Sequence, residues 1–104
     1  MERKAEGGNL EWIIAKVAET LKVAPADLRT ASPRTEHKDA WKMAAYAAIH
    51  LSDRNFVEIG MALGGASHSK VQYARSQVEA RMAADPVFRL AMSKLLEELA
   101  VPLL

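Results

Sequence analysis

The sequence predicts an all-α domain of six helices, and two observations lead to that fold class. Apolar residues recur every three or four positions in one segment after another, which is the spacing of one face of an α-helix. No segment alternates apolar and polar residues as a half-exposed strand does. At 104 residues, half of them hydrophobic, the chain has the length of a single domain. We expect that domain to span residues 9–104, after a flexible polar tail over residues 1–8.

The first two predicted helices begin at recognisable positions. Asn9 is a favourable N-cap, and the residues after it place an apolar stripe on one face of a helix that ends near Leu21. Pro25 suits the first turn of a short second helix over "PADLRT", in which Leu28 points inward. The connector that follows, "TASPRTE", contains Pro33, which disfavours helical backbone at the residue before it.

The third predicted helix runs from about Glu36 to Leu51 and is rich in alanine. Alanine favours helix, and its small size lets a neighbouring element approach closely, so this helix is expected at the centre of the core. The stretch "SDRN" interrupts the apolar pattern. Asp53 or Asn55 can then cap a short fourth helix over "FVEIGMAL".

A glycine pair at 64–65 ends the fourth helix, and Ser67 is a natural N-cap for a fifth. The fifth helix carries a stripe of residues expected to be buried, from Val71 to Met82. The dipeptide "DP" then caps and opens a sixth helix that reaches Leu99. The apolar stripe of this last helix has two interpretations, packing onto the first helix or forming part of a homodimer surface.

Composition and charge exclude several classes of protein. The absence of cysteine removes disulfides and thiolate metal sites and makes a cytoplasmic location the expectation. No apolar run approaches the roughly 18 residues of a membrane span, and the polar N-terminus predicts no signal peptide. The net charge is only +1, but residues 29–75 hold seven basic against four acidic residues, whereas both flanks are slightly acidic. This basic middle weakly favours a nucleic-acid partner.

The fourth and fifth predicted helices, joined by the glycine pair, have the outline of a helix-turn-helix. In that motif the N-terminal residues of the second helix meet base edges in the major groove. The buried stripe of the fifth helix leaves hydrogen-bonding side chains outside, near the positive end of the helix, which also favours phosphate. A glutamine side chain can form two hydrogen bonds with adenine, and a serine hydroxyl can donate a hydrogen bond to a base or accept one from it. The residues expected to contact bases are Ser67, His68, Ser69 and Gln72.

Simpler interpretations compete with recognition. Ser67 and its neighbours can cap the fifth helix and do nothing more. The histidines are too scattered to predict a metal site, and no arrangement of nucleophile and base predicts an enzyme. No glycine-rich phosphate loop ending in Gly-Lys-Ser/Thr is present, so we expect no bound nucleotide and no cofactor.

The stretch "FVEIGMALGGASHSKVQYARSQVEARMAADPVFRLAMSKLLEEL" resembles the C-terminal DNA-binding domain of the bacterial replication initiator DnaA. The resemblance extends without gaps over about residues 10–99 and implies a six-helix fold with a helix-turn-helix that binds double-stranded DNA. Because the nucleotide-binding module of that initiator has no counterpart in this sequence, we expect a stand-alone domain. The matching positions are Ile59, Gly60, Gly64, Gly65, His68, Val71, Ala74, Val78, Asp85 and Pro86.

The resemblance also implies roles for individual positions. His68 and Ser69 match a His-Thr pair that reads bases in the major groove. Lys70 stands where a second threonine contacts phosphate, and Lys42 matches a glutamine in a backbone-contacting segment. The family places an arginine in the minor groove from the connector before the third helix, and Arg34 lies one position from that place. We therefore expect Arg34 in the minor groove and, on the DNA backbone, Lys38, Lys42, Arg54, Lys70 and Tyr73.

Several positions depart from the family pattern. Ser67 replaces a base-reading aspartate, and "DAWK" at 39–42 replaces "RPRQ", which removes two arginines and adds the negative charge of Asp39. Two hypotheses follow. In the first, the protein is a small, sequence-preferring DNA-binding regulator of replication initiation at an origin or of transcription, in a bacterium or a phage. In the second, the fold is kept, DNA binding is lost, and the surface serves protein association.

Overall fold

The computed structural model describes residues 9–100, and within that range the chain forms six α-helices and no strand. The helices are α1 Leu10–Leu21, α2 Pro25–Leu28, α3 Lys38–Leu51, α4 Phe56–Ala62, α5 His68–Ala84 and α6 Pro86–Ala100. The predicted all-α class and the order of the six helices are confirmed. The tail predicted over residues 1–8 lies outside the described residues, as does the segment 101–104.

Polar side chains cap four of the helices at their N-termini. Asn9 Oδ1 accepts a 3.1 Å hydrogen bond from the backbone of the first turn of α1. Asn55, one of the two predicted candidates, caps α4 through a capping box, because Asn55 and Glu58 each bond the other's backbone N–H. Ser67 caps α5, and Asp85 Oδ1 accepts two backbone N–H bonds in the first turn of α6. These caps fix where each helix begins.

Helix α3 lies at the centre of the core. Its alanines at 44, 45, 47 and 48 are fully buried, and their small side chains let α1 and α5 pack closely against it. Ile14 and Val17 of α1 and Val71 and Val78 of α5 contribute the surrounding apolar side chains. The core therefore holds α5, which carries the candidate site, against α3.

The apolar stripe of α6 packs within the same chain. Phe88, Met92, Leu95 and Leu99 are all buried, and α6 contacts α1, α3 and α5. The first interpretation of this stripe, intramolecular packing, therefore accounts for its buried residues. Among residues 9–100, no helix has both the length and the apolar character needed to cross a membrane.

Two helix boundaries differ from those predicted. Helix α2 ends at Leu28, and α3 begins at Lys38 after a 3-10 turn over Thr35–His37. Tight 3-10 turns are frequent at helix N-termini, and periodicity alone does not distinguish them from the helix that follows. As a result, the connector between α2 and α3 is a bent segment without helical structure, and Arg34 at its end is in β conformation.

Candidate nucleic-acid interface

The turn between α4 and α5 depends on glycines. Gly64 and Gly65 have φ angles of +86° and +92°, in the left-handed region that favours glycine. The Gly60 carbonyl accepts 2.9 Å hydrogen bonds from the N–H groups of both Gly65 and Ala66. These two bonds close the turn and set the direction in which α5 leaves it.

Two of the glycines also allow close backbone approach. A Cβ on Gly60 would lie 2.1 Å from the Ala66 carbonyl oxygen, so α4 and the turn touch through backbone alone. A Cβ on Gly64 would lie 2.3 Å from Cα of Thr30, which belongs to the connector before α3. The helix-turn-helix therefore packs directly on the connector that carries Arg34.

The four residues predicted to contact bases lie together at the N-terminal end of α5. His68, Ser69 and Gln72 are exposed, and helical spacing places Gln72 one turn above the first two. Ser67 is exposed as well, although its Oγ accepts a 3.1 Å hydrogen bond from the Lys70 N–H. The serine hydroxyl still has its own proton to donate to a ligand.

His68 contacts an aromatic side chain that the sequence reasoning did not assign to the site. Its ring centroid lies 5.2 Å from that of Phe56, the first residue of α4. Arg75, about two turns further along α5, places its guanidinium carbon 5.4 Å from the same Phe56 ring. Phe56 thus joins the two helices of the motif beside the candidate reading residue.

Four of the five residues predicted to face the DNA backbone line one cleft. The cleft has a volume of about 440 Å³ and lies between the connector, α3 and the first two turns of α5. Its basic residues come from two different helices, and Tyr73, 60 % exposed, stands at its edge. The residues lining it are Ser32, Pro33, Lys38, Trp41, Lys42, Lys70, Tyr73 and Ala74.

Lys70 has protein partners inside this cleft. Its ammonium donates a hydrogen bond to the Ala31 carbonyl of the connector and lies 5.4 Å from the centroid of the Trp41 ring. Trp41 is almost completely buried, and its indole N–H bonds the Thr30 carbonyl at 2.8 Å. The phosphate contact predicted for Lys70 therefore has to coexist with these contacts or give way to them.

The two predicted arginines lie in different places. Arg34 stands at the end of the connector, with 77 % of its side chain exposed and its Nε 3.6 Å from the Glu36 carboxylate. Arg54 lies in the loop before α4, next to Glu58, and lines a separate hollow beside Asn9 and Glu11. The structure therefore brings the lysines and Tyr73 together and leaves Arg54 outside their cleft.

Asp39 is paired with a basic residue from another helix. Its carboxylate lies 3.2 Å from a guanidinium nitrogen of Arg81 on α5, and that guanidinium also stacks 4.1 Å from the Phe88 ring centroid. The pair reduces the negative charge that Asp39 presents next to Lys42. No sequence pattern could have found it, because the two residues are 42 positions apart.

The histidines and acidic residues of the described part of the chain have side chains of the types that bind metal ions. Among residues 9–100, no group of three or more histidine, aspartate or glutamate side chains is arranged to hold a metal ion. His37, in the 3-10 turn before α3, places its Nε2 3.4 Å from the Asp27 carboxylate. This contact joins α2 to the start of α3.

Comparison with known proteins places this geometry in a family. The family described as "Bacterial dnaA protein helix-turn-helix" matches residues 10–78, which include the connector, α3 and the N-terminal half of α5. The chromosomal replication initiator protein DnaA of Gloeobacter violaceus is 32 % identical over 85 residues. That match covers 82 % of this chain but only 19 % of the relative's length. On the strength of its fold, its glycine-dependent turn and this match, the chain belongs to the bacterial DnaA helix-turn-helix family.

Proposed function

We propose that this protein binds double-stranded DNA by inserting the N-terminal end of α5 into the major groove. The observation that carries the proposal is the position of Ser67, His68, Ser69 and Gln72. These hydrogen-bonding side chains are exposed together on the first two turns of the second helix of a helix-turn-helix. In such motifs those turns contact base edges.

The charges around this end of α5 support a polyanionic ligand. The first turn of α5 contains no acidic residue, so the positive end of its dipole is not neutralised locally. The adjoining cleft is bordered by Lys38, Lys42 and Lys70. Asp39, the nearest acid on α3, is paired with Arg81. A phosphodiester backbone running along the cleft meets the ammonium groups of Lys38 and Lys42 on its α3 side.

Within this proposal the side chains take different roles. His68, Ser69 and Gln72 read bases, and Ser67 adds a hydroxyl donor while it caps the helix. Lys38, Lys42 and Tyr73 contact the backbone and set orientation. Arg34 reaches the minor groove from the connector, and the 77 % exposure of its side chain suits that role. By analogy with the initiator to which the chain is similar, a regulatory role at an origin of replication or at a promoter is the biological setting.

One observation favours the second hypothesis, a protein-interaction surface. Val57 and Met61 lie four residues apart on one face of α4 and are 61 % and 70 % exposed. Large exposed apolar side chains next to each other are typical of protein contacts when they form part of a larger patch. Two residues make a small patch, so this hypothesis is the weaker of the two.

Fluorescence anisotropy with labelled duplexes tests the proposed function. A pool of random-sequence duplex is titrated at low and moderate salt, and sites selected from the pool are then compared with it. We expect binding that weakens as salt rises, since each phosphate contact contributes a log–log slope of about −0.9. His68→Ala should reduce the preference for selected sites over the pool, whereas Lys94→Met on α6 serves as a surface control. No binding even at low salt would reject DNA and favour the interaction surface.

A further inference from the structure

Two consecutive backbone carbonyls of the connector between α2 and α3, residues 29–34, each accept a hydrogen bond from a different helix. The Thr30 carbonyl accepts the 2.8 Å hydrogen bond from the Trp41 indole of α3. The next carbonyl, that of Ala31, accepts the bond from the Lys70 ammonium of α5. A segment without regular secondary structure is thereby fixed to both helices of the cleft.

Further contacts limit the remaining freedom of this connector. The Ser32 N–H bonds the Thr30 hydroxyl at 3.2 Å, which makes a tight local turn. Gly64 lies directly beneath Thr30, at a distance that leaves no room for a Cβ. The Asp27–His37 contact joins the two elements that flank the connector. Arg34, at the end of the connector, keeps 77 % of its side chain exposed, with its Nε 3.6 Å from the Glu36 carboxylate.

The two side chains that hold the carbonyls occupy positions where this chain departs from the family pattern. Trp41 stands at the second arginine of "RPRQ", and Lys70 stands at the second threonine of the reading helix. In the folded chain the two meet each other, with the Lys70 ammonium 5.4 Å from the Trp41 ring centroid. Both replacements therefore act on the same segment of backbone.

We propose that Lys70 and Trp41 are positioning residues that hold the connector so that Arg34 is presented to the minor groove. The inference rests on the proposed DNA-binding function and deepens it. Lys70 then supports binding through Arg34, because its ammonium is directed to the Ala31 carbonyl instead of outward. Trp41 acts in the same way through Thr30, from a position where only 2 % of the residue is exposed.

A double-mutant cycle on the full chain tests this assignment. Lys70→Met and Arg34→Ala are measured singly and together by anisotropy with one selected duplex, and Lys94→Met is the matched control. We expect Lys70→Met to weaken binding by about three- to tenfold when Arg34 is present and to have much less effect in the Arg34→Ala background. Equal effects of Lys70→Met in both backgrounds would overturn the inference and assign Lys70 to a direct phosphate contact.

A second measurement on the free protein separates this inference from the function on which it rests. Amide hydrogen exchange in the connector should become at least several-fold faster in Lys70→Met and in Trp41→Phe, which keeps a ring but loses the N–H, than in Lys94→Met. Unchanged connector exchange in both variants would overturn the inference, whatever the DNA result. If the unaltered protein bound no duplex, the proposed function would be rejected. The presentation of Arg34 to the minor groove would then be rejected too, even if amide exchange in the connector were faster in the two variants.

Discussion

The hydroxyl oxygen of Ser67 accepts a 3.1 Å hydrogen bond from the backbone N–H of Lys70, and this bond begins the helix that carries the candidate reading residues. Capping and recognition are therefore compatible at this position. One lone pair of the Ser67 hydroxyl accepts the capping hydrogen bond, which leaves its proton free to be donated to a ligand. The side chains of His68 and Ser69 are exposed beside it.

Replacing Ser67 separates these two roles. Ser67→Ala removes the cap and should lower the free energy of unfolding by about 1 kcal/mol. Ser67→Asp keeps a capping oxygen, places a negative charge at the positive end of α5 and restores the aspartate of the family pattern, so its stability should equal or exceed that of the unaltered protein. Urea denaturation gives both values.

The same pair of variants tests base reading. An aspartate at this position can accept a hydrogen bond from the amino group of cytosine. A serine hydroxyl can both donate and accept, so it does not select cytosine over other bases. Ser67→Asp should therefore shift the sequences recovered from a random duplex pool toward cytosine at one position. Identical pools from the two proteins would exclude Ser67 from the reading surface.

The glycine pair provides a matched comparison of strain and contact. Gly65→Ala should lower the free energy of unfolding by about 1–2 kcal/mol, the cost of a left-handed backbone for a residue with a Cβ. No contact adds to that cost, because no atom lies within 4 Å of the added carbon. Gly64→Ala has a similar φ and also places its Cβ against Thr30, so its cost should be clearly larger. Thermal or urea unfolding measures both. Equal costs would mean that the connector does not rest on the turn.

The pairing of Asp39 with Arg81 predicts a gain of function. Asp39→Asn removes a negative charge near Lys42 and releases the Arg81 guanidinium, so duplex affinity should rise at low salt. The expected gain is about two- to fivefold, since exposed charge interactions are worth about 0.2–1 kcal/mol. It should shrink as salt screens the charges. Glu97→Gln on α6 is the control, and an equal gain in that variant would attribute the effect to net charge alone.

Tyr46 predicts how stability changes at alkaline pH. Burial, and secondly the negative charge of Glu79, raise the pKa of the Tyr46 phenol in the folded protein. The unfolded chain then loses this proton first, so the free energy of unfolding should fall as pH rises above about 10. Between pH 8 and 10.5 the free energy of unfolding should fall less in Tyr46→Phe than in the unaltered protein. In Tyr73→Phe, which changes an exposed tyrosine, it should fall as much as in the unaltered protein. Equal falls in all three proteins would contradict the assignment.

The sequence predicted most of the fold because the signals involved are local. Helical periodicity, together with proline and capping signals, identified the six helices, and the caps at Asn9, Ser67 and Asp85 marked the beginnings of three of them. The grouping of His68, Ser69 and Gln72 followed from helical spacing. The 3-10 turn before α3 was missed, since periodicity alone does not distinguish such a turn from the helix that follows it.

What the sequence could not supply depends on how helices pack. The Asp39–Arg81 pair and the Lys70–Ala31 bond join residues 42 and 39 positions apart, and they exist because α5 packs against α3 and the connector. The same packing leaves Arg54 beside α1, outside the cleft lined by the other four residues predicted to contact the DNA backbone. Only the arrangement of helices decides which basic residues share a surface.

The most direct test of DNA binding through α5 is NMR mapping of the ¹⁵N-labelled protein as a selected duplex is added. We predict amide shift changes concentrated at residues 67–73, in the connector at 30–34, and at Lys38 and Lys42, with little change along the exposed face of α6. Changes confined to Val57 and Met61 on α4, or no change at saturating duplex, would contradict the proposed interface.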